Sequence, residues 1–376
     1  MIVRELSLHN FRNHRESSAS FGEGMNAVLG DNGQGKTNVL EAVSYLGLTK
    51  SFYASSDADV LTVGADLFRV EGSMESDGGL TSSVQVSYRR DPPEKQITVN
   101  GAKPESYGSM IGRFPVVVLS PEHSRITSGG PVERRKFIDL TLSQVSAAYL
   151  DDLFAYRRAL RQRNHLLAEA RAGVSGVAQM LEPWTGQLAL SGGRILARRL
   201  IFAKEFAAYV LNAYASLAES PEVPTLDYEP VTGAMPGMSA DDCASLLLDA
   251  TRKRQSEEMR RGTSVVGPHR DEIKLLLDGM DVQRFASQGQ HKTLLVALKL
   301  AEHQYVIERR NERPMFLLDD LFSELDAVRS ARILERIRFV GQTIITTTEE
   351  SPFRGTVEWN GHNRKFRVRH GTITPA

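Results

Sequence analysis

One short segment limits what this chain can become more than any other: Gly30-Asp31-Asn32-Gly33-Gln34-Gly35-Lys36-Thr37. It fits the pattern G-x-x-x-x-G-K-[ST]. It also stands between an apolar run, Met25 to Leu29, and a segment carrying Val39, Leu40, Val43 and Leu46 at helical spacing. Strand, glycine-rich turn and amphipathic helix in that order make a phosphate loop. The glycines let the backbone curl until consecutive N–H groups and the helix N-terminus face one anion. Lys36 then reaches the β- and γ-phosphates of a nucleotide, and Thr37 offers its hydroxyl to Mg²⁺. The expectation is an α/β fold that binds ATP and Mg²⁺.

A nucleotide loop needs an acidic partner, and Met315-Phe316-Leu317-Leu318-Asp319-Asp320 supplies one. The run is apolar where a central strand is buried and charged where it would emerge beside phosphate. Asp319 is the candidate Mg²⁺ ligand, and Asp320 the group that orients or deprotonates the attacking water. Upstream, Ser287-Gln288-Gly289-Gln290 opens a helix that continues through Leu294, Leu295, Ala297 and Leu298. Serine and glycine at such a position are also ordinary helix caps. Ser323-Glu324-Leu325-Asp326 follows the acidic strand. This succession resembles the Walker A, signature, Walker B and D-loop of ABC-type ATPases. The resemblance implies that Ser287 and its helix dipole face the γ-phosphate held by a second subunit, so that ATP joins two heads.

The rest of the chain changes character twice. Residues 1–115 read as short strands and turns, with Ile97-Thr98-Val99 entering a tight hairpin at Asn100-Gly101. Residues 116–264 are mainly helical, with spacings such as Leu150, Phe154, Ala155 and Leu160, or Ile195, Leu196 and Arg199. From 265 to 376 strands and helices alternate again. The first and last parts are expected to form one ATPase lobe, split by a helical second lobe. Heptads in the insertion are too broken for long coiled-coil arms. Cys243 is the only cysteine, which excludes an internal disulfide. No apolar run approaches the length of a membrane span and no leader-like segment opens the chain, so a cytoplasmic, non-membrane protein is expected.

Beyond generic ATPase motifs, the chain resembles the RecF family of recombination mediators over essentially its whole length. The residues that carry this are Leu8-His9-Asn10-Phe11-Arg12-Asn13, Ser120-Pro121-Glu122, Glu133-Arg134-Arg135-Lys136-Phe137-Ile138-Asp139, Gly267-Pro268-His269-Arg270-Asp271 and Leu317 through Asp326. The resemblance implies a protein of DNA repair and replication that binds double-stranded or gapped DNA with ATP, as an ATP-dependent homodimer. It further implies cooperation with RecR and RecO to place RecA on single-stranded gaps, and a link to the SOS response. Asp320, one methylene shorter than the glutamate of transporters, implies slow hydrolysis. Arg12 is a candidate nucleotide contact from the first-strand loop. Thr346-Thr347-Thr348 sits where a γ-phosphate sensor belongs, and no glutamine loop is evident.

Lysine plus arginine, 46, balance aspartate plus glutamate, 46, so affinity for DNA requires a local basic face. Twelve Lys/Arg against five Asp/Glu between 134 and 204 provide one. Arg157 with Arg161, and Arg194 with Arg198, are i,i+4 pairs on helices, and Arg134 and Arg135 add to the set. A transporter ATPase, an SMC-type clamp with long arms and a nucleotide kinase each fit fewer of these features.

Overall fold

A computed structural model of the chain describes residues 1–218, 221–322 and 327–376. Two compact units emerge: residues 1–124 with 296–376, and residues 125–295.

The first unit is built on two sheets. Strands β1 (Ile2–Phe11), β2 (His14–Ser20), β4 (Leu67–Glu75), β5 (Thr81–Arg89) and β6 (Glu94–Val99) form an antiparallel sheet ordered β2-β1-β4-β5-β6. Strands β3 (Met25–Leu29), β7 (Val116–Leu119), β11 (Met315–Asp319), β12 (Thr343–Thr347), β13 (Arg364–Arg369) and β14 (Thr372–Pro375) form the other, ordered β14-β13-β3-β12-β11-β7 and parallel except at β14. Four of its inner and neighbouring strands, β3, β7, β11 and β12, are buried at every residue. That is why they read as continuous apolar runs and not as alternating ones. Helix α1 (Lys36–Leu48) packs against β1, β4 and β5 on one side and β7, β11 and β12 on the other. Every residue from Val39 to Leu48 is therefore buried, including Glu41. The apolar positions Val39, Leu40, Val43 and Leu46 are buried as expected, and burial extends nearly all round because the helix lies between two sheets.

The second unit is mainly helical: α2 (Arg125–Ser128), α3 (Pro131–Val145), α4 (Ala147–Arg171), α5 (Val177–Ala215), α6 (Ala240–Lys253), α7 (Gln255–Arg261) and α8 (Val282–Phe285). A three-stranded antiparallel sheet, β8 (Pro224–Glu229), β9 (Glu272–Leu277) and β10 (Met280–Asp281), completes it. Close packing of α5 on α6 depends on Gly193, where a Cβ would lie 2.5 Å from the Ala244 nitrogen. The buried face of α4 is Leu150, Leu153, Tyr156, Ala159, Leu166 and Leu167. Phe154, expected on that face, is 49% exposed, and Arg163 points inward in its place. Helix α9 (Gln288–Arg310) runs across the boundary at 295.

These limits differ from the expected breaks after 115 and 264. Strand β7 hydrogen-bonds to β11, which carries residues 116–119 into the first unit. Strand β9 pairs with β8, which draws residues 265–295 into the helical unit, and Ser287 to Gln290 go with them. The turn at Asn100-Gly101 has the expected positive φ at both residues, but it closes on a lone Val99–Ala102 bridge and no second strand follows. Cys243 is buried and unpaired, and among the described residues no helix is long and apolar enough to cross a membrane.

Candidate nucleotide-binding site

The parallel register sets Leu29 beside Thr347, Thr346 beside Asp319, and Leu318 beside Leu119. The ends of β3, β12 and β11 thus meet, and at this end Asn32, Gly33, Gly35, Lys36, Thr37, Asn38, Asp319, Asp320 and Thr346 line one cleft of about 210 Å³. Gly33 and Gly35 hold φ of 78° and 109°, which glycine adopts without strain. A Cβ at Gly35 would also lie 2.4 Å from the Asn13 side-chain oxygen. The Lys36 ammonium rests on the carbonyl oxygens of Gly30 at 2.7 Å and Asp31 at 3.0 Å. Burial lowers its pKa, against the pull of Asp320, Asp319 and Asp31. A cation held by neutral carbonyls in a partly dry cleft is suited to receive an anion.

On the acidic side, Thr37 and Thr346 both donate hydroxyl hydrogens to Asp319 Oδ1, at 2.8 and 2.6 Å. Thr346 Oγ1 in turn accepts the backbone N–H of Asp320 at 2.9 Å. Asp320 has a φ of 50°, in the left-handed region that non-glycine residues enter uncommonly, aspartate more readily than most. Burial raises the pKa of Asp319. Among the described residues no lysine, arginine or histidine lies within ion-pair distance of its carboxylate. A buried carboxylate with a threonine hydroxyl at hydrogen-bond distance, and phosphate-binding backbone alongside, fits a hard divalent cation such as Mg²⁺.

Other expected residues fall in different places. Arg12 sends Nε and one terminal nitrogen to the two oxygens of Glu41, at 2.8 and 2.7 Å, and the other to the Asp59 carbonyl at 2.8 Å. Its fork is matched to a carboxylate inside the protein, and Arg12 is not among the residues that line the cleft. Ser287 caps α9 through a reciprocal pair: Gln290 N–H donates to Ser287 Oγ at 3.2 Å, and Ser287 N–H donates to Gln290 Oε1 at 2.7 Å. Ser287 and Gln288 are exposed, Gly289 is half-buried, and Gln290 also donates to Glu222 at 2.6 Å. Ser323 and Asp326 lie outside the described residues.

Among the basic candidates, Arg134 is a correction. It is 6% exposed and donates to the Gly129 carbonyl and to Glu272, which places it in the interior of the second unit. Arg135 is half-buried with one nitrogen on the Asp271 carbonyl at 2.5 Å. Arg157, Arg161, Arg194 and Arg198 are exposed, although Arg194 pairs with Asp152 at 2.5 Å and Arg157 lies 3.5 Å from Asp139. Sequence reading missed the back of the phosphate loop. Gln34 O accepts from Asn13 Nδ2 and from Gly371 N–H, and His14 Nε2 meets Gly35 O at 3.0 Å. The signals were Asn13, which ends a motif that carries the family resemblance, and the His370-Gly371 pair, whose positive φ values make a tight β13–β14 turn.

Fold and site together define a P-loop ATPase head of the ABC and SMC class. The family described as RecF/RecN/SMC N terminal domain matches residues 2–365. A DNA replication and repair protein RecF of Chloroherpeton thalassium is 41% identical over 358 residues, 94% of this chain and 96% of the relative. The chain belongs to the RecF family. A solved structure of the recombination mediator protein RecF-ATP in the RecFOR pathway superimposes with a TM-score of 0.88 at 30% identity, covering 100% of this chain and 99% of that one. An Smc head bound to the C-winged helix domain of ScpA shares the fold at a TM-score of 0.58 and 15% identity, covering 100% of this chain and 97% of that one.

Proposed function

We propose that this chain binds ATP with Mg²⁺, dimerises in the ATP-bound form, and in that form holds double-stranded or gapped DNA at single-strand gaps. There it would act with RecR and RecO to favour RecA loading, in the cytoplasm. The observation that carries the reading is the bonded series Thr37–Asp319–Thr346–Asp320 at the mouth of the phosphate loop. Gly30 to Thr37 would cradle the phosphates. Lys36 would exchange its two carbonyl partners for phosphate oxygens. Thr37 and Asp319 would hold Mg²⁺, which supplies neutralisation of the charge on the β- and γ-phosphates. Asp320, pinned by its own N–H, would orient the water that hydrolyses ATP and so release the dimer slowly.

Ser287 at the exposed, capped start of α9 is suited to meet the nucleotide of a second copy, because its helix is already ordered and its dipole points outward. Phe285, 67% exposed two residues earlier, fits a surface that a partner covers. Ser323 and Asp326 are assigned to the D-loop by motif alone. For DNA the candidates that remain at the surface are Arg157, Arg161, Arg194 and Arg198, with Arg135 beside them in the same unit, and backbone contacts of this kind make affinity fall with salt. The test is Ser287→Arg, followed by light scattering with and without ATP. The variant should bind ATP as a monomer and fail to dimerise; normal ATP-dependent dimerisation would reduce the Ser287 segment to a helix cap.

A further inference from the structure

The carbonyls on the outer side of the phosphate loop are gripped from behind by two hairpin turns. In a trans peptide the C=O of one residue and the N–H of the next point in opposite directions. Asn13 Nδ2 and Gly371 N–H hold Gln34 O, at 2.8 and 3.1 Å, which turns the Gly35 N–H the other way. His14 Nε2 holds Gly35 O at 3.0 Å, which does the same for the Lys36 N–H. Fixing these two carbonyls therefore aims two of the loop's phosphate donors.

His14 is fully buried, and its protons can be counted. Gly35 O is only an acceptor, so Nε2 must carry hydrogen to bond it. Nδ1 lies 3.2 Å from Ser17 Oγ, and Ser17 Oγ donates its single hydrogen to Gly371 O at 2.6 Å. Three contacts thus need three hydrogens: two on the imidazole and one on the serine. A neutral ring supplies only one and leaves one contact without a proton, whereas the imidazolium satisfies all three. Burial opposes that charge and lowers the pKa of His14. The charged or titratable residues in the segments around the ring are Asp31 and Lys36 in the loop, Arg12, Arg15 and Glu16 on its own hairpin, where Glu16 is taken by His9, and Arg369 and His370 on the facing one. None of these pairs with His14, and most are cations. A polyphosphate in the loop would supply the missing negative charge.

We infer that His14 is a positioning residue for the phosphate loop, and that it takes up a proton from solvent when a polyphosphate binds. The inference rests on the phosphate-loop reading. ADP is the probe, since it engages the loop without requiring a second subunit's γ-phosphate contact. The pKa of His14, followed by imidazole NMR of the ¹⁵N-histidine protein, should rise by about one on ADP binding, so that affinity is about tenfold higher at the acid end of the window than at the alkaline end. Titration calorimetry near about pH 6, in two buffers of different ionisation heat, should show more proton uptake by the wild type than by His14→Gln, which keeps an amide donor but cannot titrate. ADP's own protonation is common to both proteins and cancels. His370→Gln should leave the uptake intact. If His14→Gln does not fold, the imidazole NMR titration of the wild type decides the matter, since it requires no variant. A His14 pKa unmoved by ADP, equal uptake in wild type and His14→Gln, or uptake abolished by His370→Gln would each overturn the inference while leaving ADP binding intact. Absence of ADP binding by the wild type would instead sink the phosphate loop itself.

Discussion

The cleft of the first unit and the interior of the second bury charged side chains for opposite ends. In the first, Lys36 and Asp319 sit in the cleft with, among the described residues, only carbonyls and hydroxyls as hydrogen-bond partners. In the second, Arg163 bonds Glu258 at 2.6 Å, Thr185 at 3.0 Å and Ser264 at 2.7 Å, and Glu258 also accepts the Val265 N–H. Arg199 likewise bonds Asp139 at 2.7 Å, Tyr149 and the Pro268 carbonyl, while Asp271 takes the Tyr228 hydroxyl and the Val231 N–H. A buried charge whose partners are all supplied by its own unit holds structure together. One whose hydrogen-bond partners are all neutral is left with affinity for something from outside. Residue type does not separate these cases; the partner list does.

The largest effect is expected in the second unit. Arg163→Met removes a 1%-exposed guanidinium and leaves buried Glu258 without its cationic partner, and loss of one partner of such a pair costs about 3–5 kcal/mol. Urea denaturation followed by circular dichroism should show that loss; a change near zero would mean this network does not secure the unit. Lys36→Met is the counterpart. Loss of a charge-assisted contact, about 1.5–3 kcal/mol, should weaken ATP binding by about 10–100-fold. Stability should stay level or rise, because burial already disfavours the Lys36 charge in the folded state. Isothermal titration and a urea melt on the same protein measure both, and a destabilised variant with intact ATP affinity would reverse the assignment. A smaller effect comes from His303, which is buried against the Pro314 carbonyl with its pKa pushed down by burial to about 4 from 6.5. A depressed histidine pKa means the unfolded chain binds protons first as pH falls, so stability held above 6.5 is lost toward 4. At about pH 5.5 that amounts to about 1.4 kcal/mol. His303→Gln should flatten the acid limb of stability against pH by this amount, and an unchanged limb would assign it to other groups.

How much of this was legible in the sequence depended on how far apart bonded partners lie. The phosphate loop, the strand ending in Asp319 and the helix after Ser287 are each written in one contiguous stretch, and they form where expected. Arg134, by contrast, finds Glu272 far along the chain, and Arg12 finds Glu41 in the helix after the loop. Neither burial has a periodic signature, so a row of arginines reads as a surface whether it is one or not. The motif from Glu133 to Asp139 and the one from Gly267 to Asp271 marked the family correctly. Much of what they do is bond each other's neighbourhood: Arg135 to the Asp271 carbonyl, Asp139 to Arg199, and Arg199 to the Pro268 carbonyl. Strand β7 was lost to the helical region because four apolar residues say little until β11 lies beside them.

Strand β3, which leads into the phosphate loop, has β12 and β13 as its only sheet neighbours, Met25 facing Thr343 and Asn26 facing Arg364. During synthesis the loop therefore leaves the ribosome long before anything exists for its strand to pair with. At about 5–20 residues per second that interval is on the order of half a minute. A growing chain halted before Asp319 carries the phosphate-loop motif with neither that carboxylate nor the partner strands of β3, so on the proposed reading the capacity to hold ATP waits for β11, β12 and β13.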